Sequence, residues 1–486
     1  MSDQADRTEA LRASSAAFWR ATAALSCVLL ATHLMNYVVF PLYDPIMTEA
    51  RSLSQVAQTA YFVIVGALAT FAPKRLARLY PRQVALVLLA LGIVGMPFAL
   101  AFESAPLLLA ASCAFAVGRG AVVLAVALAL THGFTRDSIV LAVAIAFVAS
   151  SALQALFWIV PIGVGVVAYL ALPCVAYVLV RNDARQASAY AVSGEPPADV
   201  AVTRPSSFLP LASQMFVCLF LFRVAFGYSL RFGEVGGVPV SAFLMIVPVA
   251  AAALLLSFWK RFDADMLTMV SALFVVAGFF FVNADDLVVR SASNVLLSSG
   301  NALFSMVSWI VIAAVGARNA SGALAVAAWG NGVGAFGTIV GAEIGVASNW
   351  LVAGDSPALF AISGVLLVLF VAYVLIGLKR FSFKETIEGV TPPLIGAAVE
   401  HAETEPERFA RRCDEIAERF GFTPREREIF EMLARGRNRE YIQEKLVVSK
   451  NTVKVHVRHI YEKSGVHSHQ QLIDLVEGDE AIAPAR

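Results

Sequence analysis

Apolar runs of membrane-spanning length recur twelve times along this chain, and that repetition constrains its fold more than any single motif. A bilayer core takes roughly 20 predominantly apolar residues per helix. Such runs lie near residues 21–40, 55–72, 84–102, 106–130, 139–159, 162–180, 209–227, 242–259, 266–282, 294–316, 322–347 and 358–378. In lipid, backbone N–H and C=O groups have no water to bond, so runs like these form helices. Composition agrees: 58% hydrophobic and 15% charged residues, with a mean hydropathy of +0.72, lie outside soluble globular usage. The first run follows a polar, basic N-terminus, is too long for a signal-peptide core and lacks a small-residue cleavage motif, so it reads as a span.

The distribution of basic residues orients the spans, because a miscounted span would mix the charges of all later loops. With the N-terminus inside, the cytoplasmic flanks hold Arg7, Arg12, Arg20, Lys74, Arg75, Arg78, Arg82, Arg136, Arg181, Arg185, Arg204, Lys260, Arg261, Arg318, Lys379, Arg380 and Lys384. The outer flanks hold Arg51, Arg231 and Arg290. An even number of spans returns the C-terminus to the cytoplasm, and the expected location is the inner (plasma) membrane with both termini inside. The longest internal polar stretch, Arg181 to Ser207, carries Gly194, Pro196, Pro197 and Pro205 and divides the spans six and six. This halving resembles the major facilitator architecture, two six-helix bundles joined by a cytoplasmic loop. The resemblance is architectural, because the family's loop signature between spans two and three lacks its Asp in APKRLARLYPR at residues 72–82.

Beyond Lys384 the chain becomes charged. Thr423, Pro424 and Glu426 supply an N-cap, a proline at the first helical position and a capping-box partner. The spacing predicts a helix to about Ala434 with a stop at Gly436, then a short helix from Arg439 to Leu446. A turn at Val447 and Val448 leads to a third helix, capped by Ser449 and reaching Lys463 before Gly465. Helix, short turn, helix is a DNA-reading geometry. Between Arg435 and Lys463, eight basic residues face three acidic ones, Glu440, Glu444 and Glu462. Such a local excess suits phosphates, although the formal net charge of the chain is only +1. On the third helix Asn451, Lys454, Val455 and Arg458 share a face opposite Val453, Val457 and Ile460. Before this region, Phe409, Cys413, Ile416 and Phe420 form an apolar stripe on a helix from about Pro406, expected to pack on its own domain, with a coupling or dimer helix as the alternative.

The string FTPREREIFEMLARGRNREYIQEKLVVSKNTVKVHVRHIYEKSGVHSHQQLIDLV resembles the LuxR (NarL/FixJ-type) helix-turn-helix family. TPRERE, Gly436 and SKNTVKVHVRHIYEKSGV carry the likeness. Ile442 stands where the family usually has Ala, and Ser464 where Leu is common. The resemblance implies that Lys454, Val455 and Arg458 approach base edges in the major groove, while Lys450, Asn451, Thr452 and His459 suit phosphates or capping. It also implies double-stranded DNA as partner and a homodimer on a two-fold operator, with a fourth helix from Ser468 to about Val476 offering Leu472, Ile473, Leu475 and Val476. The whole layout resembles bacterial LuxR-type regulators with multi-span N-terminal domains that answer to small molecules.

The fold class expected is therefore all-α: a polytopic bundle of about twelve transmembrane helices in two sixes, plus a four-helix LuxR-type domain. Its segments are a cytoplasmic N-terminal segment (1–20), a first membrane half (21–180), a central loop (181–207), a second half (208–378), a linker with an amphipathic helix (379–420), the helix-turn-helix domain (421–478) and a tail (479–486). Ionisable residues inside apolar spans are costly and mark function. Arg119, Arg223, Glu343 and His33, with Asn36, are candidates for a small-molecule pocket between the halves, where Arg119 or Arg223 pairs an anionic group. The competing reading is a structural pair between an arginine and Glu343. Trp309 and Trp329 are candidates for stacking or packing. The five cysteines form no CxxC pair, and no metal, cofactor or catalytic constellation is expected. The GxGxxG string of Gly332, Gly334 and Gly337 lies inside an apolar run with no strand before it, so it reads as helix packing. A secondary transporter with a regulatory DNA-binding tail is the alternative.

Overall fold

The computed structural model describes residues 2–72, 75–76, 82–131, 134–157, 159–191, 214–232, 244–259, 263–281, 286–318, 322–352, 356–377, 382–383 and 405–477. Almost all of these residues are helical, and no strand occurs among them. The chain divides into two units, Met1–Pro393 and Leu394–Arg486, each with its own apolar core.

Twelve helices in the first unit occupy the twelve apolar runs: α1 (Ser2–Leu34), α2 (Glu49–Phe71), α3 (Arg82–Ala101), α4 (Ala105–Thr131), α5 (Arg136–Leu156), α6 (Ile162–Ala191), α7 (Gln214–Phe232), α8 (Ile246–Phe258), α9 (Ala264–Phe281), α10 (Leu287–Arg318), α11 (Ala323–Val352) and α12 (Ser356–Ile376). Among the described residues, nine of them are long and apolar enough to cross a membrane, whereas α3, α8 and α12 supply shorter apolar stretches. Large apolar side chains such as Leu91, Phe98, Phe280 and Leu369 point outward, as a lipid-facing surface requires. The start of the expected central loop is helical, since α6 continues to Ala191, and residues 192–213 lie outside the described ones.

Pro41 changes the end of the first span. Its ring crowds the carbonyl four residues back and it brings no N–H, and the ladder shifts to a π turn at Met35–Val39 and a 3₁₀ turn at Phe40–Leu42. Two contacts then tie helix ends together. Arg20, just before the first apolar run of α1, forms a two-pronged ion pair with Asp183 late in α6, at 3.0 and 3.3 Å. After α12, Ser382 Oγ and the Phe383 N–H both donate to Asp265 at the start of α9, each at 2.6 Å.

Small residues allow the closest helix crossing. A Cβ built on Gly337 of α11 would sit 2.5 Å from the Phe220 carbonyl oxygen of α7, one on Gly341 would strike the Val224 carbonyl, and one on Gly227 of α7 the Thr338 carbonyl. Without a hydrophobic driving force between helices in lipid, such backbone approach is what holds them together. The GxGxxG string lies within α11, as the packing reading requires.

Candidate nucleic-acid interface and membrane cavity

The second unit contains α13 (Glu405–Arg419), α14 (Pro424–Ala434), α15 (Arg439–Leu446), α16 (Lys450–Ser464) and α17 (His469–Glu477). Its helices start where side chains can bond orphan N–H groups. Thr423 and Glu426 complete the capping box, Asn438 accepts from the Tyr441 N–H at 2.9 Å, and Ser449 accepts from the Thr452 N–H at 3.2 Å. Each cap stabilises by about 1 kcal/mol. Gly465 ends α16 at φ 71°, a conformation that favours glycine. Val447, in the turn before α16, holds φ 52°, which is uncommon for a β-branched residue.

The core is built from Ile429, Phe430, Leu433, Ile442, Val453, Val457, Ile460, Leu472 and Val476. Ile442, the departure from the usual Ala, is fully buried there. Cys413 of α13 enters the same core with Phe409 and Ile416 packed against it, so the amphipathic stripe is spent on its own domain. Burial, helped by Glu431 and opposed by Arg435, pushes the Cys413 thiol up to about 12, leaving it unreactive at neutral pH. Of the four apolar residues of α17, Leu472 and Val476 are buried, Leu475 packs against the core and Ile473 is half-buried.

Burial of Val453, Val457 and Ile460 fixes the rotation of α16 and turns Lys450, Asn451, Thr452, Lys454, Val455 and Arg458 outward. Val455 is 42% exposed amid polar neighbours, a placement suited to a thymine methyl. Arg458 lies 3.6 Å from Glu462 one turn on, a weak surface pair that yields readily to phosphate or base. The Thr452 hydroxyl shares a hydrogen bond with Ser449 at 2.8 Å. His459 turns the other way, its Nδ1 3.7 Å from the Glu426 carboxylate.

That carboxylate anchors α16 to α14. Glu426 is 3% exposed, accepts the Thr423 N–H at 2.8 Å and receives Lys463 Nζ at 2.6 Å, while Lys463 also donates to the Gly421 carbonyl at 3.1 Å. Lys463, counted among the DNA-facing charges by sequence, is thus engaged inside the domain. Burial alone would raise the Glu426 carboxyl, but Lys463 and the Thr423 contacts outweigh it and hold it below the usual range. Its contribution to stability is therefore full above the unfolded value of about 4.3 and disappears as pH falls through the lower folded value. Glu426→Gln is expected to destabilise this unit by about 2–3 kcal/mol at neutral pH, near the lower end of the cost of breaking a buried pair. The gap to the parent closes below about pH 4, and urea titrations across pH check both points.

Other supports were not legible in sequence. Arg425 Nη2 donates to the Leu446 carbonyl at 3.1 Å, closing α15 against α14. His469 Nε2 lies 2.7 Å from the Leu433 carbonyl at the end of α14, and Arg437 stacks over Tyr441 at 5.0 Å. Asn438 alone carried a signal, a capping residue directly before a helical pattern.

In the first unit, one cavity of about 280 Å³ is lined by all four candidates, Arg119, Arg223, Glu343 and His33, together with Asn36 and Trp309. The side chains come from both sets of six helices. Arg119 is 4% exposed; its guanidinium donates to Gln58 at 2.5 Å and Thr32 at 3.3 Å, and its Nε has no partner among the described residues. Arg223 donates to Asn301 at 3.3 Å. Glu343 accepts from Ser52 Oγ at 2.8 Å, and no ion pair joins it to either arginine among the described residues. The His33 ring lies 4.3 Å from that of Tyr37. Trp329 packs instead, its indole N–H donating to Thr70 at 3.0 Å. No group of metal-ligating side chains occurs among the described residues.

Comparison with known proteins meets this geometry at both units. Residues 421–476 match the family model of bacterial regulatory proteins, luxR family. No curated protein matches the sequence. The fold is similar to the human organic anion transporter MFSD10 (TETRAN), with a TM-score of 0.50 and 15% identity over 74% of this chain and 99% of that one. A bacterial homologue of the iron transporter ferroportin, in an outward-facing state, gives a TM-score of 0.50 and 10% identity over 74% and 98%. The proton:xylose symporter XylE of the major facilitator superfamily gives 0.49 and 13% over 74% and 96%. The chain thus joins a helical domain whose fold is similar to that of solved membrane transporters to a C-terminal domain that matches the luxR family of bacterial regulatory proteins.

Proposed function

We propose that this protein is a membrane-bound transcription regulator in which a small molecule, held in the cavity of the membrane unit, changes how the LuxR-type domain engages double-stranded DNA. The observation that carries the reading is the pairing of an outward, basic and polar face on α16 with a membrane unit whose costly ionisable residues converge on one cavity. All twelve helices cross the inner membrane, and both termini are cytoplasmic, as the basic flanks require. Ligand binding biases the two six-helix halves, which changes the orientation or dimerisation of the DNA-binding domain on a two-fold operator. Lys454, Val455 and Arg458 read bases, Lys450, Asn451 and Thr452 meet phosphates, and the protein catalyses no reaction.

Chromatin immunoprecipitation of tagged full-length protein from membranes tests this. Enrichment of a few promoters whose occupancy changes with growth condition is the expected result. Absence of enrichment under every condition overturns the proposal and leaves the transporter alternative.

A further inference from the structure

We infer that the cavity is loaded from the side of the membrane opposite to the DNA and that its ligand is a small organic anion; this rests on the regulator reading above.

The lining runs from Ile312 of α10 and Gly330 of α11, deep in the bundle, up to one end of it. Arg51 and Ser52 stand near the start of α2, Gln154 near the end of α5, Arg231 near the end of α7 and Met245 just before α8. In an alternating bundle these are all the same end. At the other end, residues 124–131 of α4, 313–316 of α10 and 323–329 of α11 are buried and take no part in the cavity. The ion pair of Arg20 with Asp183 and the bonds of Ser382 and Phe383 to Asp265 bring the start of the first apolar run, the ends of α6 and α12 and the start of α9 to this sealed end. Phe383, the last described residue of the first unit, lies at this end. A regulator that reads DNA has that end in the cytoplasm, so the cavity opens outside.

The chemistry selects an anion. Arg119 and Arg223 project from opposite halves into the cavity, and among the described residues the hydrogen-bond partners of their guanidiniums, Thr32, Gln58 and Asn301, are neutral. The Arg119 Nε has no partner at all among the described residues. Two cations held with only neutral partners in a low-dielectric interior favour a ligand that brings a negative charge. Phe62, Phe147 and Trp309 on the same walls suit an apolar body.

The test places a cysteine at Asn331, which lines the cavity from α11, in the full-length protein, with Ser52→Cys as the second variant should the first fail to reach the membrane. A membrane-impermeant maleimide should label intact cells at least tenfold faster than inside-out vesicles, measured above the parent background. Benzoate, phenylacetate or octanoate should slow that labelling at least fivefold more than the matching amide, and Arg223→Gln should remove the protection. Faster labelling of inside-out vesicles overturns the side of entry, and equal protection by acid and amide overturns the anion. Promoter occupancy in the same cells separates the two levels. Occupancy with inward labelling sinks only this inference, whereas outward labelling without occupancy sinks the regulator reading.

Discussion

Replacing Lys454 and Arg458 together by alanine will reduce operator affinity of the full-length protein at least ~100-fold while leaving its fold unchanged. Both side chains are exposed on α16, so truncation opens no cavity in the core. A good base contact discriminates by about 1–3 kcal/mol, and two lost contacts sum to roughly 2–6 kcal/mol, so ~100-fold, about 2.7 kcal/mol, lies toward the lower end of that range. Lys450→Ala, by contrast, should weaken binding evenly across sequences and reduce the salt slope by about 1, as removal of a phosphate contact does. Footprinting at two salt concentrations distinguishes them. Equal loss on specific and random DNA for the double variant would remove Lys454 and Arg458 from the base-reading set.

Gly341→Leu is expected to dismantle the membrane unit. A side chain at this position meets the Val224 carbonyl and lies 2.8 Å from the Tyr228 nitrogen, and neither backbone group can swing away as a side chain does. Overpacking a core usually costs about 1–3 kcal/mol; here the obstacle is backbone, so at least ~3 kcal/mol is expected. Gly163→Leu is the control, because nothing lies within 4 Å of a Cβ there. Thermal unfolding in detergent should show a large loss for the first and none for the second. DNA binding by the second unit should survive both, since its core is separate.

The caps of the DNA-binding unit show why its elements were legible in advance. Thr423, Glu426, Ser449 and Gly465 act within three or four residues of themselves, so their pattern in sequence is already their geometry. The π turn at Met35–Val39 was missed because Pro41 displaces the ladder upstream of itself, where only apolar residues stand. His459 and Lys463 look like their basic neighbours in sequence, and only the fold of α14 against α16 brings them to Glu426.

Sequence alone therefore determined the local quantities: which stretches are apolar enough for lipid, where the helices of the DNA-binding unit start and stop, which face of α16 is buried and which flanks carry positive charge. Each depends on neighbours along the chain. The tertiary structure decided which intramembrane charges meet. His33, Arg119, Arg223 and Glu343 are separated by as much as the whole membrane unit in sequence, yet they line one cavity, because contacts such as that of Gly341 with Val224 set how the helices cross. Hydropathy measures the cost of burying each charge, but only helix packing determines its company.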